Sequence, residues 1–252
     1  MDHRIFWEHG VGLIPVGYSQ SWDQAYNPYL NFLANDFVEG YWADVFTAQN
    51  DEDETFIRNA LTTIFLARAI PQAQGLGVIP PWIQNPDATI GEFVKYLVNR
   101  GIRNAVKDKV KSQLRPLGAL ANGGCHCSII AHSWGTVVTY ESLLDLEAEQ
   151  PAFKLAHLFT LGCPLWLVQH FLDDSSGRKP RNVANWVNIH AQGDPVGAGL
   201  TPAFQVDMDY PVANYNNSND PHGSYFLAGN VAVQREIVAV TIIADAVSLR
   251  SL

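Results

Sequence analysis

Apolar residues recur along this chain with two different periods, and the alternation between them outlines a fold. Arg4-Ile5-Phe6-Trp7-Glu8 reads as a strand that runs into a glycine-bearing turn, His9-Gly10-Val11-Gly12. Residues Phe37 to Phe46 predict a second strand on their aromatic and β-branched content. From Glu54 the period changes: Phe56, Ile57, Ala60, Leu61, Ile64 and Phe65 return at helical spacing until Pro71 ends the run. A Gly- and Pro-rich loop from Gln72 to Pro86 leads to Thr89-Ile90-Gly91-Glu92, a capping-box pattern that predicts a helix start before Phe93, Val94, Leu97 and Val98. Ile102, Val106, Val110, Leu114 and Leu117 mark a third helix, and its basic residues Arg103, Lys107, Lys109 and Lys111 are expected on a solvated face.

Beyond the turn at Asn122-Gly123-Gly124, the segment Cys125 to Ala131 reads as a buried strand and Thr136 to Glu149 as a helix. Leu155 to Leu161 and Val183 to Ala191 are further strands, Phe204 to Val212 is a weaker one, and Val231 to Val247 predicts a terminal helix. Strands alternating with helices imply an α/β protein with a doubly wound, mostly parallel sheet. The simplest organisation is one domain over residues 1–252 with a helical insertion or cap at about 50–120.

Composition narrows the function classes. With 252 residues and 47% hydrophobic content the chain can bury a full core. Its 16 basic and 25 acidic residues give a formal charge of −9, which opposes binding to nucleic acid or to anionic membrane surfaces. The N-terminus lacks a cationic region followed by an apolar run, and no segment is long enough to span a bilayer, so a soluble, cytoplasmic protein is expected. Three cysteines cannot all pair within one chain, and reduced thiols are expected. Cys125-His126-Cys127 has no second ligand cluster of suitable spacing, so neither a metal nor another cofactor is expected.

The most informative residues are Ala131-His132-Ser133-Trp134-Gly135, placed where a strand gives way to a helix. A serine on so sharp a turn is held in a strained conformation, and small residues at 131 and 135 suit it. A serine hydroxyl needs a base within reach and a carboxylate to orient that base. His222 in Pro221-His222-Gly223-Ser224 and Asp194 in Gly193-Asp194-Pro195 follow Ser133 in the order serine, acid, histidine. Among the competitors, His157 and His190 lie within predicted strands, His132 is expected to point away from Ser133, and Asp173, Asp174, Asp207 and Asp209 sit less favourably relative to strand ends. Acyl chemistry also needs two donors for the oxyanion; the amide of Trp134 and that of Val11 in the first glycine turn are the candidates.

In these segments the chain resembles the α/β-hydrolase superfamily, in particular its small bacterial lipases and esterases. His9-Gly10-Val11-Gly12 is similar to the family's oxyanion loop, Ala131 to Thr136 to its nucleophile elbow, Thr160-Leu161-Gly162-Cys163-Pro164-Leu165 to a strand-end segment, Gly193 to Val196 to its acid turn and His222 to Tyr225 to its histidine loop. The chain begins at what corresponds to the family's third strand, which implies a reduced sheet. The resemblance implies a carboxylic-ester hydrolase with Ser133 as nucleophile, His222 as base and Asp194 as acid, acting on a small-molecule or lipid ester. A thioesterase, amidase or acyltransferase would use the same residues, and an inactive hydrolase-like binding protein is the alternative of another class. Oligomeric state is left open.

Overall fold

The computed structural model describes residues 2–10, 15–30, 36–46, 59, 63 and 86–248. Val11 and nearly all of the helix expected from Glu54 lie outside them, as does the loop up to residue 85. No helix among the described residues is long and apolar enough to cross a membrane.

The strands are β1 (His3–Glu8), β2 (Phe37–Glu39), β3 (His126–His132), β4 (Leu155–Leu161), β5 (Val183–Ala191) and β6 (Met208–Val212). They form one six-stranded sheet in the order β2-β1-β3-β4-β5-β6. Every pairing is parallel. The longer helices are α1 (Ser19–Leu30), α2 (Pro86–Val98), α3 (Arg100–Asn122) and α4 (Trp134–Glu149), followed by the short α5 (Leu165–Val168). A terminal helical run continues from Val231–Val233 through a π-helical Gln234–Ala239 into Val240–Ser248.

Strand alternation sorts the core into two layers. Phe6, Ile129, Ala131, Leu158 and Trp186 pack on the face covered by α2 to α5. Ile5, Trp7, Ile130, Phe159 and Ile189 pack on the face covered by α1 and the terminal run. Both faces are apolar, which is why β3 to β5 read as nearly continuous hydrophobic stretches. The chain leaves β1 toward β2 on one side and returns to β3 on the other, so its direction reverses between β1 and β3. A crevice opens at such a switch point, beyond the carboxyl ends of the strands.

Three elements differ from the sequence expectation. The second strand stops at Glu39; the residues after it turn away, with the Gly40 amide donating to the Trp7 carbonyl at 2.8 Å, and Trp42 is buried against His9. The last strand starts only at Met208, because Phe204 is drawn into the core against Tyr140 and Trp186. Helix α2 is already present at Pro86, where the described residues resume, ahead of the capping-box pattern at Thr89.

The basic face of α3 is a larger correction. Arg103, Lys107 and Lys111 are buried rather than solvated, at 4%, 5% and 6% exposure. They lie four residues apart on α3 and face Glu141, Asp145 and Glu149, spaced likewise on α4. Arg103 pairs with Glu141, Lys107 with Asp145 at 3.1 Å, and Lys111 with Glu149 at 2.6 Å. Asp173 joins Lys107 at 3.1 Å, and the Tyr96 hydroxyl donates to Glu141 at 2.7 Å. Only Lys109 points outward, toward Asp44.

Of these pairs Arg103–Glu141 is the most deeply buried, with side chains 5% and 2% exposed. Breaking a buried pair leaves one charge uncompensated, at a cost of about 3–5 kcal/mol, whereas replacing both charges by apolar groups is often neutral. Arg103→Met is therefore expected to destabilise the fold by about that amount in urea unfolding, and the double variant Arg103→Met/Glu141→Leu to recover most of the loss.

Candidate functional site

At the carboxyl end of β3 the chain turns sharply into α4. Ser133, at the turn, has φ 53° and ψ −129°, a region that non-glycine residues rarely occupy and that costs about 1–3 kcal/mol. Its amide donates to the Leu161 carbonyl at 2.9 Å, and its own carbonyl accepts from the Thr136 amide at 3.1 Å and the Thr136 hydroxyl at 2.6 Å. These three bonds hold the strained residue in place. The need for glycine at 135 has a specific cause here: a Cβ at Gly135 would collide with the carbonyl oxygen of His9, so the first turn of α4 could not lie against the end of β1.

Parallel register brings the other partners to the same edge. His132 stands opposite Leu161 on β4, and the Gly162 amide donates to the Ile189 carbonyl of β5 at 3.1 Å. The loop after β5 carries Asp194, and the loop after β6 carries His222. The His222 Nε2 lies 2.8 Å from the Ser133 hydroxyl, and its Nδ1 lies 3.0 and 3.1 Å from the two Asp194 oxygens. The hydroxyl, imidazole and carboxylate proposed from the sequence thus form one continuous hydrogen-bonded chain.

Asp194 is 2% exposed. Burial alone would raise its pKa, but the charge and hydrogen bond of His222, the Tyr225 hydroxyl and the Gly197 amide outweigh it and hold the carboxyl well below the usual range. Oδ1 accepts from the amides of Val196 at 2.8 Å and Gly197 at 2.9 Å, and Oδ2 from the Tyr225 hydroxyl at 2.6 Å. For His222, burial pulls the pKa down, and the adjacent Asp194 carboxylate more than offsets this, so the ring titrates above its ordinary value of 6.5.

The turn after β1 closes on the same point. A Cβ at Gly10 would stand 2.8 Å from the Ser133 Cβ, 3.1 Å from its hydroxyl and 3.5 Å from the Trp134 amide nitrogen, so only glycine allows the backbone this close. The Trp134 side chain is buried edge-on against Phe93 and Tyr96, while its amide opens α4, where the first N–H groups have no intrahelical partner. His9 is buried, stacked on Trp42 at 4.8 Å; it accepts from the Trp42 amide at 3.3 Å and donates to the Gly10 carbonyl at 2.5 Å. Burial brings its pKa down to about 4, so it serves as a neutral brace. Glu8 behind it is wholly buried, and burial raises the pKa of its carboxyl well above the usual range.

The competing residues have other partners. Asp173 faces Lys107, Asp174 and Asp207 pair with Arg178 and Lys179, and Asp209 accepts from the amides of Leu200 and Thr201 with His190 only at 3.9 Å. His157 bonds Ser128 inside the sheet at 2.9 Å. Sequence reasoning missed Tyr225, Gly162 and Gly197 as site residues. Two of them lie in segments already singled out, around 160–165 and 222–225, but nothing in their spacing points to Asp194. Among the described residues no group of three or more His, Cys, Asp or Glu could hold a metal ion.

Gly162 and Gly197 wrap the carboxylate. Gly162 has φ +60°, and a Cβ there would stand 2.9 Å from Asp194 Oδ2, 2.9 Å from His222 Cε1 and 3.0 Å from His222 Nδ1. Gly162→Ala is therefore expected to part His222 from Asp194 and to slow the reaction of Ser133 with a fluorophosphonate by about 100-fold, since displacements near 1 Å cost that much in reactivity. Labelling rates of the folded variant against the parent protein measure this, and equal rates would contradict it.

A scan against protein-family models finds no match for the chain, and a search of curated proteins finds no significant relative.

Proposed function

We propose that this chain is a serine hydrolase of the α/β-hydrolase type that cleaves carboxylic esters through an acyl-enzyme on Ser133. The observation that carries the reading is the hydrogen-bonded chain Ser133–His222–Asp194, with 2.8 Å between the hydroxyl and the imidazole, at a strained strand-to-helix turn beside the Gly10 backbone. The strand order, which reverses direction between β1 and β3, supports it, as does the segment-by-segment resemblance to small lipases and esterases.

The roles follow from the donors and acceptors. As the Ser133 oxygen attacks the ester carbonyl carbon, His222 Nε2 takes its proton, and Asp194 stabilises the resulting imidazolium through Nδ1–H. The carbonyl oxygen becomes an oxyanion, with the Trp134 amide as one donor and the Val11 amide as the second, each worth roughly 100- to 1000-fold in rate. His222 then returns the proton to the departing alcohol oxygen, leaving the acyl group on Ser133. Water repeats the sequence in reverse, with His222 again as base, to release the acid.

A fluorophosphonate probe is expected to label Ser133 alone, and Ser133→Ala to lower ester turnover by roughly a million-fold. Labelling of another serine, or near-normal turnover by the alanine variant, contradicts the assignment. Faster turnover of thioesters or amides than of matched esters contradicts the ester specificity only.

The base must be neutral to accept a proton, so kcat should rise with pH through a midpoint above 6.5, the ordinary histidine value from which His222 is raised. Asp194→Asn removes the charge that raises it. That variant should lose up to roughly ten-thousand-fold in kcat and move the midpoint to lower pH. An unchanged midpoint in the pH–rate profile would count against the pairing.

A further inference from the structure

His132 precedes Ser133 in the elbow, and its side chain falls on the opposite face of the sheet from Ala131. That face is where the 220–226 loop lies. The His132 Nε2 is 2.7 Å from the carbonyl oxygen of His222, and a carbonyl only accepts, so this nitrogen carries the proton and donates. The two imidazole rings stand 4.6 Å apart at 36°. Phe226 closes on His132 edge-on at 5.1 Å and is itself stacked on Trp22 at 3.8 Å, so the ring is held from behind. Nothing in the proton transfer described above uses this residue.

We propose that His132 is a positioning residue, whose N–H to the His222 carbonyl fixes the backbone from which the catalytic imidazole reaches Ser133. The inference rests on the hydrolase reading given above. The geometry accounts for why contact through the main chain matters: the His222 side chain must meet Ser133 at one end and Asp194 at the other, both inside 3.1 Å. Asp194 is tied down by three donors besides His222, the amides of Val196 and Gly197 and the Tyr225 hydroxyl, and Ser133 by its own turn, so any drift of the His222 backbone is taken up by the bonds its ring makes to these two residues. A donor from the strand that also carries the nucleophile keeps base and nucleophile on a common frame. Burial and the neighbouring His222 bring the pKa of His132 down to about 3. It therefore remains a neutral donor over the whole range in which His222 titrates, and it adds no positive charge beside the imidazolium that forms in the reaction.

The test separates the hydrogen bond from the ring stacking. His132→Gln keeps an N–H at nearly the reach of Nε2 but removes the aromatic ring; His132→Phe keeps the ring and removes the donor, and His132→Met is a second variant without a donor should the Phe variant fail to fold. With a short-chain p-nitrophenyl ester, the donorless variant is expected to lose about 10- to 100-fold in kcat with KM within about threefold of the parent, while His132→Gln stays within about threefold in both. The rate of fluorophosphonate labelling of Ser133 should fall in the same proportion as kcat. The proposal is overturned if the Gln variant is as impaired as the donorless one, if the donorless variant retains the parent kcat, or if only KM changes. Absence of both labelling and turnover in the parent protein sinks the hydrolase reading itself, an outcome distinct from any of these.

Discussion

A carboxylate without water around it keeps its charge only where donors replace the water, and Asp194 shows how much structure that requires. Its two oxygens are met by the amides of Val196 and Gly197, the hydroxyl of Tyr225 and the imidazole of His222. To place those groups, the loop after β5 must curl back on itself, the segment after β4 must pass close enough that residues 162 and 197 have no room for a side chain, and the 222–225 loop must descend from β6. Tyr225 is itself fixed by the Ala191 amide at 2.8 Å, at the very end of β5. The loops that surround the site are therefore arranged around one buried negative charge, and the raised pKa of His222 is the direct electrostatic consequence.

Neutrality of the neighbouring histidines is as much a feature of the electrostatics. His9 and His132 flank the site and are kept uncharged by burial, each spending its N–H on a backbone carbonyl, Gly10 in one case and His222 in the other. Burial likewise raises the pKa of the Glu8 carboxyl. Among the described residues, the charges that raise the pKa of His222 are those of Asp194 and, more weakly, Asp220.

Away from Ser133, the ladder between α3 and α4 plays a different part. Three basic side chains on one helix and three acidic ones on the next, both at four-residue intervals, lock the rotation and register of the two helices. Since α4 opens directly from Ser133, its axial position determines where the turn lies against β1. Pairing of this kind contributes little net stability compared with an apolar seam, but a one-turn slip would leave buried charges unpaired, at a cost of several kcal/mol.

The pattern along the chain determined the layers of this protein, because strand and helix periods are local properties that survive without knowledge of contacts. β1, β3, β4 and β5 and the helix α4 lie where the periodicity places them, within two residues, and α3 runs five residues beyond Leu117, to Asn122. The residues 133, 194 and 222 were also legible, since a strand-to-helix turn and two loops after strands are features of local sequence in a fixed order. Tertiary structure alone decided the rest. Whether a basic stripe meets water or an acidic stripe depends on which helix packs beside it, so the spacing of Arg103, Lys107 and Lys111 and the matching spacing at 141, 145 and 149 do not by themselves show that the two stripes meet. The shortness of β2 and the late start of β6 followed from the burial of Trp42 and Phe204, which competes with strand pairing. The parts of His132, Gly162 and Tyr225 became visible only when parallel register aligned the ends of β3, β4 and β5, because a hydrogen bond between residues 90 apart, such as that from His132 to His222, leaves no mark on the spacing of either.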